Sequence, residues 1–117
     1  MRTTVDRGQE GEERAAAYLK QHGYALVERN FRSPFGEIDI IASENDCLVF
    51  VEVKFRNVPS YGTSLESISQ EKQKRLIKTA HYYLKKKNAY NRRVRFDVLG
   101  IDGSTVKLVK NAFLADE

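Results

Sequence analysis

Three acids and a lysine interrupt two segments that are otherwise typical of buried β-strands. The first segment, GEIDIIA, contains Glu37 and Asp39, and the second, LVFVEVK, contains Glu52 and Lys54. Burying a charge costs free energy unless the charge is paired or binds a metal. Mg²⁺ usually takes one or two carboxylates together with waters and substrate phosphate. These residues therefore predict a metal-dependent site that cleaves phosphodiester bonds.

The spacing of these four residues predicts that they share one face of a hairpin. A two-residue turn at 45–46 has the composition that hairpins favour, and it sets Asp39 opposite Glu52 and Glu37 opposite Lys54. Opposed Cβ atoms lie about 5 Å apart, where like charges destabilise a sheet. A divalent cation between the acids reverses that effect. A shift of one residue in register would separate the group.

A further acid, Glu12, lies on the apolar stripe of a predicted first helix. It precedes Ala15, Ala16 and Leu19 by helical spacings, so these side chains share one face. Acids are rarely buried without a partner. If the helix packs beside the hairpin, Glu12 completes the coordination of the metal, directly or through water.

Hydrophobic periodicity predicts seven elements in the order α-β-β-β-α-β-β. Helices are predicted at residues 6–22 and 69–87, and strands at 25–31, 37–43, 47–55, 94–101 and 105–109. Asp6 and Ser69 are candidate N-caps, and Gly23 is a candidate helix terminator. This order predicts an α/β fold with a mixed central sheet flanked by helices. Residues 56–68, which are rich in Ser, Asn, Gly and Pro, are predicted to form a mobile loop.

Length and composition limit the class of protein. A chain of 117 residues suits one domain spanning 1–117, and its net charge of +4 suits a polyanionic partner such as DNA. Cys47 is the single cysteine, which excludes an internal disulfide and a multi-cysteine zinc site within one chain. Neither a signal-peptide core nor an apolar run of about 18 residues occurs, so we expect a cytoplasmic protein with no membrane span.

These residues carry a resemblance to known nucleases. Asp39 followed by Glu52-x-Lys54 resembles the PD-(D/E)xK signature, and the predicted order resembles the αβββαβ core of the restriction-endonuclease-like superfamily. More closely, the chain is similar to the YraN family of small bacterial proteins. The matching segments are Gly8-x-x-Gly11-Glu12, Arg29-Asn30-Phe31-Arg32, Gly36-Glu37-Ile38-Asp39, Val49-Phe50-Val51-Glu52-Val53-Lys54-x-Arg56, Lys72-x-x-Arg75 and Arg95-Phe96-Asp97. The helix Glu, the Asp and the Glu-x-Lys together also resemble archaeal Holliday-junction resolvases.

The resemblance implies an activity and a set of catalytic residues. Asp39 and Glu52 would bind Mg²⁺, for which Mn²⁺ can substitute, with the Val53 carbonyl as a further ligand. Lys54 would orient the attacking water or help to deprotonate it, and the metal would lower the pKa of that water. The implied activity is a metal-dependent DNA endonuclease, acting on branched or repair-intermediate DNA and working as a homodimer. From the residues alone, an ion pair explains Lys54 as well.

Basic residues predict contacts to phosphate. Arg56 follows Lys54 on the same strand face, and Lys72 and Arg75 lie near the start of the second predicted helix. Such contacts supply salt-dependent affinity rather than sequence readout. Glu37 is an accessory candidate at the site, and a salt bridge to Lys54 or Arg56 explains it better than metal binding.

Two other functions stay open at this point. A non-catalytic nucleic-acid-binding or adaptor module would keep the nuclease-like fold and cleave nothing. A structural partner of another repair or uptake protein would leave no readable trace in the sequence. Asp97 is a further candidate site acid, although a structural pair with an arginine is the favoured interpretation.

Overall fold

Seven elements follow one another in the predicted order. A computed structural model of the chain describes residues 4–55 and 68–114, with the side chains of the first helix described from residue 10 onward. The elements are α1 (Thr4–Gln21), β1 (Ala25–Ser33), β2 (Gly36–Glu44), β3 (Cys47–Phe55), α2 (Gln70–Lys87), β4 (Arg93–Asp102) and β5 (Thr105–Phe113). The predicted mobile loop at 56–68 lies outside the described residues, apart from Ile68, which is buried.

The five strands form one mixed sheet in the order β1-β2-β3-β4-β5. The pairing is antiparallel except between β3 and β4, which are parallel. A parallel pair needs a crossover connection, and the chain between β3 and β4 contains α2. The sheet and its two helices confirm the predicted α/β class and are compatible with a restriction-endonuclease-like αβββαβ core.

Each helix covers one face of the sheet, and β3 is buried on both faces. Val49, Val51 and Val53 pack in the core cluster that contains Ala15 and Leu19 of α1. Leu48 and Phe50 pack in the other cluster, with Leu76, Ala80, Tyr83 and Leu84 of α2. A strand covered on both faces is mostly apolar, and Glu52 and Lys54 are the charged exceptions in β3. Because side chains alternate along a strand, Glu52 lies on the α2 face.

The ends of the helices confirm one predicted cap and correct another. The Ser69 hydroxyl accepts a hydrogen bond from the Lys72 backbone nitrogen at 3.1 Å, so Ser69 is the N-cap of α2. The helix α1 begins at Thr4, so Asp6 lies inside its first turn and is not the N-cap. Neither helix of the described ranges is long and apolar enough to cross a membrane.

The last strand runs four residues beyond its predicted end at residue 109. Its pairing with β4 is irregular between Phe96 and Val98, and Asn111 there adopts a left-handed conformation with φ of 53°. The Asn111 backbone nitrogen donates to the buried Asp97 carboxylate at 2.9 Å. This bond satisfies a backbone group that the bulge removes from the ladder, so β5 continues to Phe113.

Candidate active site

The hairpin of β2 and β3 has the predicted register over most of its length. Paired residues run from Glu44 and Cys47 at the turn to Ile40 and Val51. Asp39 and Glu52 are the next two residues in this register, beyond the last ladder pair, and their direct opposition stays a prediction. The Asp39 carboxylate accepts a hydrogen bond from the Val53 backbone N–H at 2.8 Å.

The neighbouring strand is irregular at the same place. Pairing of β1 with β2 skips Asn30 and Asp39, and Asn30 adopts a left-handed conformation with φ of 54°. Asparagine tolerates this region better than most residues. On the other side of β2, the Asp39 side chain reaches β3 and accepts the Val53 N–H.

Asp39 and Glu52 directly flank the ladder pair of Ile40 and Val51, so the hairpin brings the two acids close together. Glu52 is buried and Asp39 partly buried. Burial, and after it the nearby charge of Glu52, raises the pKa of Asp39 to about 7, although the Val53 N–H opposes the shift. Glu12 raises this pKa further through its charge. A carboxyl group whose pKa is raised by burial and by a neighbouring acid is typical of acids placed for function.

Two lysines stand beside this acid pair. The Lys72 ammonium, from the first turn of α2, contacts the Glu52 carboxylate directly. Lys54 lies two residues after Glu52 on β3, which places it on the same face of the strand, and it is partly buried. The structure thus brings Lys72 into the acid site. Its role as a phosphate contact stays a prediction.

Asn30 and Arg29 are residues that the sequence did not single out for the site. With its amide nitrogen turned toward them, Asn30 donates to Glu12 and Glu37, each at 3.2 Å. One Arg29 nitrogen lies 4.0 Å from the other Glu12 oxygen. Glu37 also lies 3.7 Å from the Arg32 side chain, a partner that the sequence did not indicate. The sequence did contain one indication of these residues, because segment 29–32 is one of the segments that match the YraN family.

The other two predicted phosphate contacts, Arg75 and Arg56, are not seen at the acid pair among the residues that the structure describes. Arg75 is exposed on α2 and lies 3.8 Å from the Glu71 carboxylate, one turn before it. Its Cβ faces Gly36, at the start of β2, so α2 packs closely over this end of the sheet. Arg56 lies outside the described residues.

The donor set suits a hard divalent cation with two protein carboxylates. The hairpin brings the carboxylates of Asp39 and Glu52 close together, and Mg²⁺ usually takes one or two carboxylates. Within the described ranges, no group of three or more His, Cys, Asp or Glu residues is arranged to hold a metal ion. The assignment of Glu12 as a third ligand therefore stays a prediction.

A second buried acid, Asp97, is fully surrounded by donors. The Arg95 guanidinium donates to both of its oxygens at 2.9 Å, in a two-pronged geometry. The Tyr24 hydroxyl donates to it at 2.9 Å, and burial followed by the Asp97 charge raises the pKa of Tyr24. Asp97 thus has the structural arginine partner that was the favoured interpretation of its motif.

The same arginine extends this network to Glu44. Arg95 donates to one Glu44 oxygen at 2.8 Å, and Lys110 donates to the other at 2.9 Å. The Lys110 hydrogen bond is the main cause that lowers the pKa of Glu44. The hydrogen bond to Asp97 is likewise the main cause that raises the pKa of Arg95.

Comparison with known proteins identifies the family. The model of the uncharacterised protein family UPF0102 matches residues 11–101. The chain belongs to this family. It is similar to a UPF0102 protein of Persephonella marina, at 46% identity over 110 residues that cover 94% of this chain and 95% of the relative. A UPF0102 protein of Shewanella loihica is 44% identical over 109 residues, 93% of this chain and 95% of the relative.

The family assignment confirms the resemblance drawn from the sequence, because UPF0102 is the YraN family. The match extends over α1, the hairpin, α2 and β4 as far as Ile101. It therefore includes Asp39, Glu52 and the residues around them. The family description states no reaction, so the chemistry rests on the site itself.

Proposed function

We propose that this UPF0102 protein is a Mg²⁺-dependent endonuclease that hydrolyses DNA phosphodiester bonds, with branched or repair-intermediate DNA as its substrate class. The carrying observation is that the hairpin brings Asp39 and Glu52 close together while the Val53 N–H holds the Asp39 carboxylate in place. Two acids held together in a partly buried place oppose folding unless a proton or a cation separates their charges. The cytoplasm is the compartment that this proposal expects, because DNA is there.

Each residue of the site has a role in this proposal. Asp39 and Glu52 would hold Mg²⁺ through their oxygens, with the Val53 carbonyl as a further donor. The bound metal supplies Lewis-acid activation of the phosphate and lowers the pKa of a water. The Val53 N–H keeps the Asp39 carboxylate oriented toward β3. Lys54 would orient the attacking water, and Lys72 would leave Glu52 to contact the substrate phosphate.

Asp39→Asn tests the proposal, with Asp46→Asn as a matched control. Both changes replace a carboxylate of the same hairpin by an isosteric amide, but Asp46 is exposed at the turn far from the site. Calorimetric titration with Mg²⁺ and Mn²⁺ should show binding to wild type and to Asp46→Asn and none to Asp39→Asn. Four-way junctions, flaps and linear duplexes incubated in the same buffers should be cut only by the two proteins that bind metal.

Full cleavage activity in Asp39→Asn would rule out the proposed mechanism. The proposal also includes a homodimer, since symmetric cutting of two strands requires two sites. Sedimentation velocity of the protein with and without a four-way junction measures that state directly. A monomer that cuts both strands would remove the dimer from the proposal.

A non-catalytic DNA-binding module is the second candidate, and one contact favours it. Lys72 already neutralises part of the Glu52 charge without any metal. This candidate expects DNA binding that weakens with salt, does not respond to Mg²⁺, and is accompanied by no cleavage from wild type. The calorimetric titration and cleavage assay distinguish the two candidates.

A further inference from the structure

An exposed aromatic pair lies beside the candidate active site, where β1, β2 and α2 meet. Phe35, in the turn between β1 and β2, is 45% exposed, and Tyr82 of α2 is 37% exposed. Their ring centroids lie 6.4 Å apart in an edge-to-face arrangement. The two exposed rings therefore contact each other and form one aromatic surface.

A buried ring and two hydrogen-bonded side chains hold this pair in place. Phe31 is buried, and its ring centroid lies 6.1 Å from that of Tyr82. The turn that carries Phe35 is anchored to α2, because the Ser33 hydroxyl donates to Thr79 at 3.2 Å and accepts from the Phe35 backbone at 3.0 Å. These contacts fix the positions of the two exposed rings on the surface.

Positive charges surround the rings. The Lys78 ammonium lies over the Phe35 ring, 5.8 Å from its centroid, and the Lys86 ammonium lies over Phe31 at 5.9 Å. The side chain of Arg32, near the end of β1, is 80% exposed. Aromatic faces flanked by cations are the combination that proteins use to bind unpaired nucleic-acid bases together with their phosphates. We define the aromatic platform as Phe35, Tyr82, Lys78 and Lys86.

The platform is connected to the acid site along α2. Arg75, Tyr82 and Lys86 are seven and four residues apart, which places them along one side of the helix. Lys72, which contacts Glu52, precedes Tyr82 by ten residues, or about 15 Å of helix. A nucleic-acid strand that follows this side of α2 would pass from the acid pair to the rings.

We infer that the aromatic platform binds an unpaired segment of the DNA substrate by stacking bases on Phe35 and Tyr82. The inference deepens the proposed function, on which it rests for the choice of DNA. It names the structural class of substrate, which is a duplex with an unpaired strand next to the cleavage position. Stacking on aromatic side chains tolerates any base sequence, since every base has a π-face.

Tyr82→Leu tests the inference, with Tyr90→Leu as a matched control. Tyr90 is 61% exposed and stands outside the platform, so both changes replace an exposed tyrosine by leucine. Binding is measured in EDTA, so that no cleavage occurs, with a duplex that carries a single-stranded tail containing 2-aminopurine. The fully paired duplex of the same sequence is the second probe.

Wild type and Tyr90→Leu should quench 2-aminopurine and prefer the tailed duplex. Tyr82→Leu should lose the quenching and bind the tailed duplex about tenfold more weakly, while its affinity for the paired duplex is unchanged. Phe35→Leu is the second variant and should behave in the same way, from a different element of the fold. It keeps the test decisive if Tyr82→Leu fails to fold by circular dichroism.

Several outcomes would overturn the inference while leaving the nuclease proposal untouched. One is quenching and affinity equal to wild type in both platform variants. Another is the same loss in Tyr90→Leu, which would mean a general effect of removing a surface ring. A third is that wild type self-associates and Tyr82→Leu does not, while 2-aminopurine quenching is the same in both. That result would mean that the platform binds a second copy of the chain. Conversely, stacking without any metal-dependent cleavage would support the platform and reject the nuclease.

Discussion

Two regions of this sheet bury acids, and they balance the charge in opposite ways. Around Asp97, one carboxylate receives hydrogen bonds from an arginine, a tyrosine and a backbone nitrogen. Around Asp39, the carboxylate lies near a second acid, Glu52, and accepts a hydrogen bond from the Val53 backbone N–H, while Glu52 contacts the Lys72 ammonium. A buried charge that is fully paired has a structural role. Two buried acids with too little positive charge around them favour the binding of a cation.

The difference shows how a structural buried acid can be distinguished from a candidate site acid within one fold. Asp97 is 1% exposed and Glu52 is 7% exposed, so burial alone does not distinguish them. The neighbouring charges distinguish them, because Asp97 is paired with Arg95 whereas Glu52 lies near a second acid as well as contacting Lys72. The following predictions test the contrast between these two regions, from the largest expected effect to the smallest.

Asp97→Asn should lower the free energy of unfolding by about 3 kcal/mol, because it removes the buried counter-charge of Arg95, which then keeps its ion pair with Glu44. Urea unfolding followed by circular dichroism measures this loss. A domain of this size has a total stability of about 5–15 kcal/mol, so the change is large. A loss below about 1 kcal/mol would mean that the network around Asp97 is not what holds this end of the sheet.

Glu44→Gln should lower the free energy of unfolding by about 2 kcal/mol at neutral pH, since it removes charge-assisted hydrogen bonds to Arg95 and Lys110. The lowered pKa of Glu44 means that this stability is present above its ordinary pKa of 4.5 and is lost as the pH falls. The difference between variant and wild type should therefore shrink in acid.

Glu28→Gln is the matched control for that prediction. Glu28 lies 4.0 Å from Lys87 in a more exposed pair, so its replacement should cost less than about 1 kcal/mol. Equal losses in the two variants, or a difference that does not depend on pH, would contradict the role given to Glu44.

Asp39→Asn should raise the free energy of unfolding by about 1 kcal/mol in metal-free buffer at pH 8, because it removes one of two facing charges. The amide oxygen still accepts the Val53 N–H. The sign of the pH dependence is opposite to that of Glu44. Because the pKa of Asp39 is raised from 3.8 to about 7, its contribution is fully present below about 3.8 and is lost as the pH rises through about 7.

Asp46→Asn serves as the control for this gain, since it removes an exposed charge from the same hairpin. Thermal unfolding in EDTA across pH 5 to 8 compares the two variants with wild type. If Asp39→Asn is less stable than wild type at pH 8, the acid pair stabilises the fold, and its charges do not favour a bound cation.

Lys72→Gln should change the free energy of unfolding by less than about 1 kcal/mol, because the lysine side chain is 43% exposed. Removing this cation from Glu52 should, however, increase the rise in melting temperature that Mg²⁺ produces. Lys74→Gln, an exposed lysine of the same helix, should respond to Mg²⁺ as wild type does. A smaller Mg²⁺ response in Lys72→Gln than in Lys74→Gln would mean that Lys72 does not compete with the metal.

Local patterns were sufficient to predict most of the fold. Alternation and helical spacing placed all seven elements, and the turn at 45–46 fixed the hairpin register as far as Ile40 and Val51. The end of β5 was missed, because its continuation depends on a bulge whose backbone group bonds to Asp97, fourteen residues away in the chain.

The candidate site was predictable in part. Hairpin geometry is local, so the register was predictable, and it brings Asp39 and Glu52 close together. The contact of Lys72 with Glu52 depends on how α2 packs over the sheet. The bridge from Asn30 to Glu12 and Glu37 depends on a left-handed residue and on the packing of α1.

The sequence by itself determined the order of the elements, the hairpin register near its turn and membership of UPF0102. All of these depend on residue types at short spacing or on similarity along the whole chain. Only the tertiary structure decided which buried acid is compensated. The donor Tyr24 lies 73 residues from Asp97 along the chain, and no pattern of neighbouring residues specifies such a contact. Charge balance in a core is set by partners that packing brings together, and this is why Asp97 and Asp39, both acids within strands, differ.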